Sequence, residues 1–223
     1  MDSLAAGLFD VLGPVMVGPS SSHTAGACRL GLFARKVLNE KPQSGNIYLH
    51  GSFQKTRHGH GTELAILGGL LGMNPDDSRL KHAREMAAEA NFDYEFLEAN
   101  LKGAHPNTCK ISLKGTQGGE TSVTGSSIGG GAIQVLQIDD FSVNLSGQYH
   151  ALVTRHIDKP GVVFKVTKAI SEAEINIAFM QMSRNKKGEH AFLVVETDDS
   201  LPEGLKDQLI AEPEILEIKL IRP

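Results

Sequence analysis

The sequence predicts an α+β protein in two domains, and two observations support this. Residues 1 to 147 open with helical apolar spacing and close with a run of short alternating strands. From Tyr149 the order changes to strand, helix, strand, strand, helix, strand, the βαββαβ pattern of a ferredoxin-like module. The domains are therefore expected at 1–147 and 148–223, with the boundary between Leu145 and Gln148. A chain of 223 residues is long enough for each domain to bury its own core.

Taken in order, residues 4 to 13 have apolar spacing suited to a short helix, ended by Gly13 and Pro14. Next comes VGPSSSHTAG, residues 17 to 26. Three consecutive serines suit a helix cap better than a helix interior, so a helix is expected to start near Ser22 to Ala25 and run to about Leu38. The unpaired N–H groups at such a start, with hydroxyls beside them, favour a small polar or anionic ligand. A plain serine-rich cap with a satisfied histidine is the alternative. NEKPQSG reads as a turn-rich exit, NIYLHGSF as a strand, and TELAILGGLLGM as a buried helix whose small residues allow close backbone approach. Asp76 or Asp77 caps a charged helix, DDSRLKHAREMAAEA.

FDYEFLEANL, TCKISLKG, GETSVTGSS, AIQVLQID and FSVNLSG then read as short strands, with SIGGGAI (residues 127 to 133) as a tight turn in preference to a backbone cradle for a ligand. In the second domain YHALVTRHID is a strand and PGVVFKVTKAISEAE a helix with Pro160 in its first turn. INIAFMQMSRN and GEHAFLVVETDD form a hairpin through KKG, and PEGLKDQLIAEP is a short helix before the last strand, EILEIKLI.

Composition narrows the function. The net charge is -4, with 12 basic and 14 acidic residues in 1–147 and 10 and 12 in 148–223, so neither part is a basic arm. Aromatics make up 5% and tryptophan is absent, which leaves few stacking platforms and argues against a nucleic acid partner. The N-terminus lacks a basic n-region and no apolar run approaches the roughly 20 residues of a membrane span, so no membrane partner and a cytoplasmic location are expected. Cys28 and Cys109 form no C-x-x-C pair, and two cysteines cannot supply a four-cysteine metal centre.

Chemistry is expected in the first 147 residues, which hold six of the nine histidines. SSSHT (20–24), HGHGTE (58–63) and HPNT (105–108) each place a histidine beside a glycine, proline or hydroxyl residue, where a rigid turn can orient an imidazole. A serine hydrolase is disfavoured, because a G-x-S-x-G elbow between a strand and a helix is missing and the adjacent Ser22 and His23 project in different directions. A zinc site from His50, His58 and His60 lacks a carboxylate at metalloprotease spacing. General acid/base catalysis by His60 or His105 fits best, since an imidazole can remove or return a proton near neutral pH. Such catalysis still needs an electrophile, which this chain does not supply.

GPVMVGPSSSHTAGA, GSFQKTRHGHGTELAILGGLLG, HPNTCKISL and SIGGGAIQV, in that order, closely resemble the beta chain of the two-subunit, iron-sulfur-dependent L-serine dehydratases. The terminal module resembles an ACT domain, with Asp158, Pro160 and Gly161 in the strand-to-helix loop and Asn176 opening the second strand. The resemblance covers nearly the whole chain. It implies a first domain like the allosteric substrate-binding domain of some phosphoglycerate dehydrogenases. It also implies a partner alpha subunit holding a [4Fe-4S] cluster, at which L-serine loses water by α,β-elimination and goes on to pyruvate and ammonia. His60 is then implied as the base for the Cα proton and His105 as a second active-site histidine that engages the substrate carboxylate. Ser20, Ser21, Ser22, His23, Thr24, Gly61, Thr62, Asn107 and Thr108 are implied as substrate-pocket residues, with no metal ligand in this chain. Asp158, Gly161 and Asn176 are implied to bind an effector, with L-serine a candidate, and the ACT module to mediate a homodimer. Many relatives have Asp where this chain has Glu63, and the longer carboxylate is expected to affect how His60 is oriented. A non-catalytic sensor of amino acids or anions is the alternative function.

Overall fold

The computed structural model describes residues 15–57, 59–184 and 186–222, so the short helix expected over 4–13 lies outside the described residues. The chain divides into two compact units, Met1–Leu136 and Gln137–Pro223. Helices with a mixed sheet come first and a ferredoxin-like element order follows, as the sequence predicts.

In the first unit helical hydrogen bonding begins earlier than expected. Ser20 is the cap: its Oγ accepts the His23 N–H at 3.1 Å, and Ser21–Gly26 then form a π-turn before helix α1 (Ala27–Leu38). Wide turns of this kind are frequent at functional sites. Helix α1 buries Leu30, Phe33, Ala34 and Val37 and ends at Asn39, whose φ of 60° leaves the helical region. Strand β1 (Pro42–His50) already includes the PQS expected to be a turn, and it stops short of the expected GSF. Gly51 breaks it with φ +59°, a conformation that favours glycine. The residues that follow form the short helix α2 (Gly51–Lys55).

Helix α3 (Thr62–Leu70) is buried on nearly every side, as its apolar sequence predicts. The single helix expected over 76–90 is instead a 3₁₀ turn, Ser78–His82, followed by α4 (Ala83–Glu89), because His82 leaves helical geometry with φ -108° and ψ 17°. Asp77 is the cap, accepting the Arg79 N–H at 2.9 Å. Strands β2 (Asp93–Ala99), β3 (Thr108–Gly115), β4 (Glu120–Gly129), β5 (Ala132–Ile138) and β6 (Phe141–Leu145) complete a sheet in the order β2-β1-β3-β4-β5-β6. The β1/β2 pair is parallel and β1/β3/β4 are antiparallel. Gly129, Gly130 and Gly131 all have positive φ and form the β4–β5 turn expected of SIGGG.

In the second unit β7 (His150–Ile157), α5 (Val162–Glu172), β8 (Ile177–Arg184), β9 (His190–Thr197), α6 (Glu203–Ile210) and β10 (Ile215–Ile221) follow in turn. The sheet order is β10-β7-β9-β8, antiparallel throughout. One face buries Leu152, Leu193, Val195 and Ile218 against Val166, Ile170 and Leu209 of the helices. Helix α5 starts at Val162, with Gly161 at its cap at φ 91°, so Pro160 precedes the helix and is not in its first turn. Among the described residues no helix is long and apolar enough to cross a membrane.

Candidate active site

The three loop segments singled out by sequence meet in the first unit, and Gly51 and Ser52 join them. The Ser52 hydroxyl lies 3.0 Å from His23 Nε2, while the Ser20 hydroxyl lies 3.3 Å from His23 Nδ1. The His23 ring stands edge-on to buried Phe53 and its centroid is 5.3 Å from that of His60. On the other side of Ser52, its backbone N–H donates to Pro106 O at 2.7 Å. A Cβ on Gly51 would lie 2.6 Å from that same carbonyl oxygen, so only glycine lets HPNT come this close. Gly51 and Ser52 thus link SSSHT to HPNT, and HGHGT joins them through the His60 ring beside His23.

His105 and Asn107 continue the ring of contacts. The Asn107 N–H donates to His105 Nδ1 at 3.2 Å, which leaves the N–H of a neutral His105 ring on Nε2, a donor suited to a carboxylate. The His105 side chain is exposed. Thr108 is buried, its hydroxyl donating to His105 O at 2.6 Å and lying 2.7 Å from that of Ser126. Asn107 O accepts the Ser127 N–H at 2.9 Å, and Ser127 packs against Gly26, where a Cβ would come within 2.0 Å of its hydroxyl. Thr24 Oγ1, Thr62 Oγ1, Asn107 Oδ1 and Ser127 Oγ are buried here without a hydrogen-bond partner among the described residues. Buried polar atoms are nearly always paired, so four such oxygens on the segments that meet here set this region apart from an ordinary core. Ser21 and Ser22 are half-buried in the π-turn, and Gly61 caps α3 in the left-handed conformation, directly after His60.

The electrostatics separate the histidines. Burial, and then the neighbouring His60, lower the His23 pKa from its ordinary 6.5, so His23 is neutral at pH 7. Both of its ring nitrogens also face serine hydroxyls. His60 is exposed on the turn before α3. The buried Glu63 carboxylate is held by Arg84 at 2.7 Å and Arg57 at 3.6 Å. His50 accepts the Leu101 N–H on Nδ1 at 3.2 Å and thereby ties β1 to the chain leaving β2; His58, the other histidine weighed for zinc, lies outside the described residues.

Among the described residues no group of three or more His, Cys, Asp or Glu is arranged to hold a metal ion. Cys28 and Cys109 are buried, and burial pushes both thiols up to about 12. Cys28 donates its S–H to Met73 O. These donors do not fit a cluster held by this chain alone.

Ser52 and Ser127 are the site residues that sequence reasoning missed. The pattern NIYLHGSF puts Ser52 at the end of a strand, although a glycine inside a strand pattern signals a break, and Gly51 is such a glycine. Ser127 was assigned to a turn, and no local pattern could reveal that it packs on Gly26.

In the second unit the Asp158 carboxylate is engaged within the chain. The Gly188 N–H and then Arg184, each at 3.0 Å, hold its carboxyl below the usual carboxylate range. The Asn176 amide donates to Asp198 at 2.7 Å. A ligand amine reaching Asp158 would compete with Arg184.

Comparison with known proteins gives the family of the chain. A probable L-serine dehydratase beta chain from Bacillus subtilis (strain 168) is 38% identical over 214 residues, covering 96% of this chain and 97% of the relative. The chain belongs to the L-serine dehydratase beta chain family. The family model for the serine dehydratase beta chain matches residues 7–96, and that for the ACT domain matches 150–214. The L-serine dehydratase beta chain of Peptoniphilus asaccharolyticus is 39% identical over 203 residues, 91% of each chain. A D-3-phosphoglycerate dehydrogenase of B. subtilis is 24% identical over 196 residues, which is 87% of this chain and 37% of that enzyme. SSSHT, the HGHGTE histidines and their α3 cap lie within the span matched by the L-serine dehydratase beta chain model; HPNT and SIGGG lie beyond it but within the regions aligned to the full-length relatives.

Proposed function

We propose that this chain is the beta subunit of a cytoplasmic L-serine dehydratase, which deaminates L-serine to pyruvate and ammonia by α,β-elimination of water and acts only with a partner alpha subunit. A [4Fe-4S] cluster is assigned to that partner, because this chain lacks the thiolates to hold one; it would supply the Lewis acidity that a departing hydroxyl needs. The observation that carries the reading is the convergence of SSSHT, HGHGT and HPNT around His23 and Ser52 in a chain aligned over more than nine-tenths of its length with named beta chains.

Within that reading each residue has a separate task. His60, exposed and adjoining the neutral His23, takes the proton from the substrate Cα. His23 is positioned by Ser20 and Ser52 and orients its neighbour. His105 offers its Nε2–H to the substrate carboxylate. Thr24, Thr62 and Asn107 contribute unpaired oxygens, and Ser21, Ser22, Gly61 and Thr108 shape the walls. The expected result of anaerobic reconstitution with an alpha-type partner is formation of pyruvate from L-serine, read with a lactate dehydrogenase coupled assay. The partial match to a phosphoglycerate dehydrogenase keeps a second reading in view, a non-catalytic sensor. Calorimetric binding of serine or phosphate by the isolated chain, with no alpha-dependent pyruvate, would decide for that sensor.

A homodimer through the ACT domain is part of the proposal. Strand β8 is a sheet edge, and Phe179, Met180 and Met182 on it are 40%, 45% and 46% exposed. An apolar edge strand is a template for pairing with another chain. Sedimentation equilibrium is expected to give twice the 23.9 kDa chain mass, and a monomer at all concentrations would remove this part.

A further inference from the structure

The face of the second sheet that carries no helix holds a cavity with no part in the reaction above. Its volume is about 110 Å³, small against the roughly 300–1,000 Å³ of sites for drug-sized ligands. It takes a ligand of only a few heavy atoms. The sheet register builds its floor: Lys219 stands beside Val153 in one row, and Glu217, Arg155 and Phe192 share the next. The β5–β6 turn closes it, with Asp139 and Asp140 at the tip and Phe141 stacked on Phe192, centroids 4.6 Å apart and planes 9° apart.

The charges lining the cavity do not all pair with one another. Lys219, whose side chain is 12% exposed, lies 3.1 Å from Glu217 and 3.8 Å from Asp139. That leaves Asp140, Arg155 and His190. All three line the cavity, and none makes a side-chain hydrogen bond or ion pair among the described residues. The cavity therefore presents one uncommitted carboxylate and one uncommitted guanidinium, with an imidazole, beside a small apolar floor. A guanidinium is a bidentate donor for a carboxylate, and a carboxylate is a charge-assisted acceptor for an ammonium. A small α-amino acid carries both groups on one carbon.

We propose that this cavity is a binding site for a small zwitterionic amino acid, with the ligand carboxylate on Arg155 and its ammonium on Asp140. The site does not use the Asp158 carboxylate, which Arg184 and Gly188 occupy. It does not depend on the dehydratase reading.

The test is a site-resolved ¹⁵N NMR titration of the full chain with L-serine, L-alanine and glycine, and with acetate and methylammonium as singly charged probes. The expected result is saturable shifts at the Arg155 Nε–H and the Asp140 and Glu217 amides with at least one amino acid, at concentrations where neither single-charge probe shifts them. Arg155→Ala and Asp140→Asn are each expected to raise the apparent Kd at the Glu217 amide by tenfold or more. Both side chains are exposed, so both variants keep the fold, checked by their unshifted reference spectra. Shifts confined to the surroundings of His60 or Asp158, no shift with any of the three amino acids, or an unchanged Kd in both variants would overturn the proposal.

Discussion

His60→Ala, assembled with an alpha-type partner, is expected to lower kcat for L-serine by roughly 10²- to 10⁴-fold, the span that a positioned general base usually contributes. The assignment of the base to His60 and not His23 follows from their surroundings. His23 has a serine hydroxyl at each ring nitrogen and a pKa lowered first by burial, so it is a poor proton acceptor and a well-fixed neighbour. His60 is solvent-facing, and its backbone N–H donates to Thr56 O at 3.1 Å, a bond that alanine keeps. Truncating its side chain should therefore leave the unfolding midpoint of the chain within the scatter of repeat measurements. Steady-state kinetics and thermal unfolding of the same preparation check both halves. Undiminished turnover would remove His60 from the role of base, and a large fall in Tm would reduce it to a structural residue.

Much of this site was legible before the structure because its residues sit at element boundaries, which sequence marks with serine, glycine and proline. SSSHT, HGHGT and HPNT each flank a helix or strand end, and the fold brings all three together. Three features were not legible, each for a physical reason. The π-turn from Ser21 to Gly26 depends on which serine captures the His23 N–H, and three adjacent serines offer the same chemistry. Gly51 signals the break after β1, but the seating of Gly51 and Ser52 against the Pro106 carbonyl is a contact with a residue more than fifty positions away. The split of the helix expected over 76–90 arises at His82, which apolar periodicity cannot distinguish from its neighbours. The second unit was legible in its element order, because alternating strands and amphipathic helices are locally encoded. The engagement of Asp158 by Arg184 required the β7 and β8 ends to meet.

The scaffold beneath the site rests on glycine as much as on leucine, and Gly69→Ala is expected to show this with the largest stability loss of any single methyl added to the first unit's core. A Cβ at Gly69 would lie 2.0 Å from Cys28 O and 2.6 Å from Leu32 N, and one at Gly31 would lie 2.2 Å from Ile66 O. Helices α1 and α3 therefore touch backbone to backbone, and the atoms met are not flexible side-chain ends that could swing away. In an exposed helix interior the same change would be favourable by about 1 kcal/mol, because alanine is the better helix former. Here the helices must separate instead, and overpacking a close contact costs on the order of 1–3 kcal/mol or more. For a chain of this size that corresponds to a Tm lowered by roughly 2–12 °C. The shift would reach the site as well, since α1 continues from the π-turn carrying His23 and α3 begins two residues after His60. Gly204→Ala is the matching control: that glycine lies in α6, and a Cβ there would meet nothing within 4 Å. Thermal unfolding by circular dichroism is expected to show a lowered midpoint for Gly69→Ala and an unchanged or raised one for Gly204→Ala. Equal midpoints for the two variants would mean that the α1–α3 crossing does not need a bare backbone at Gly69.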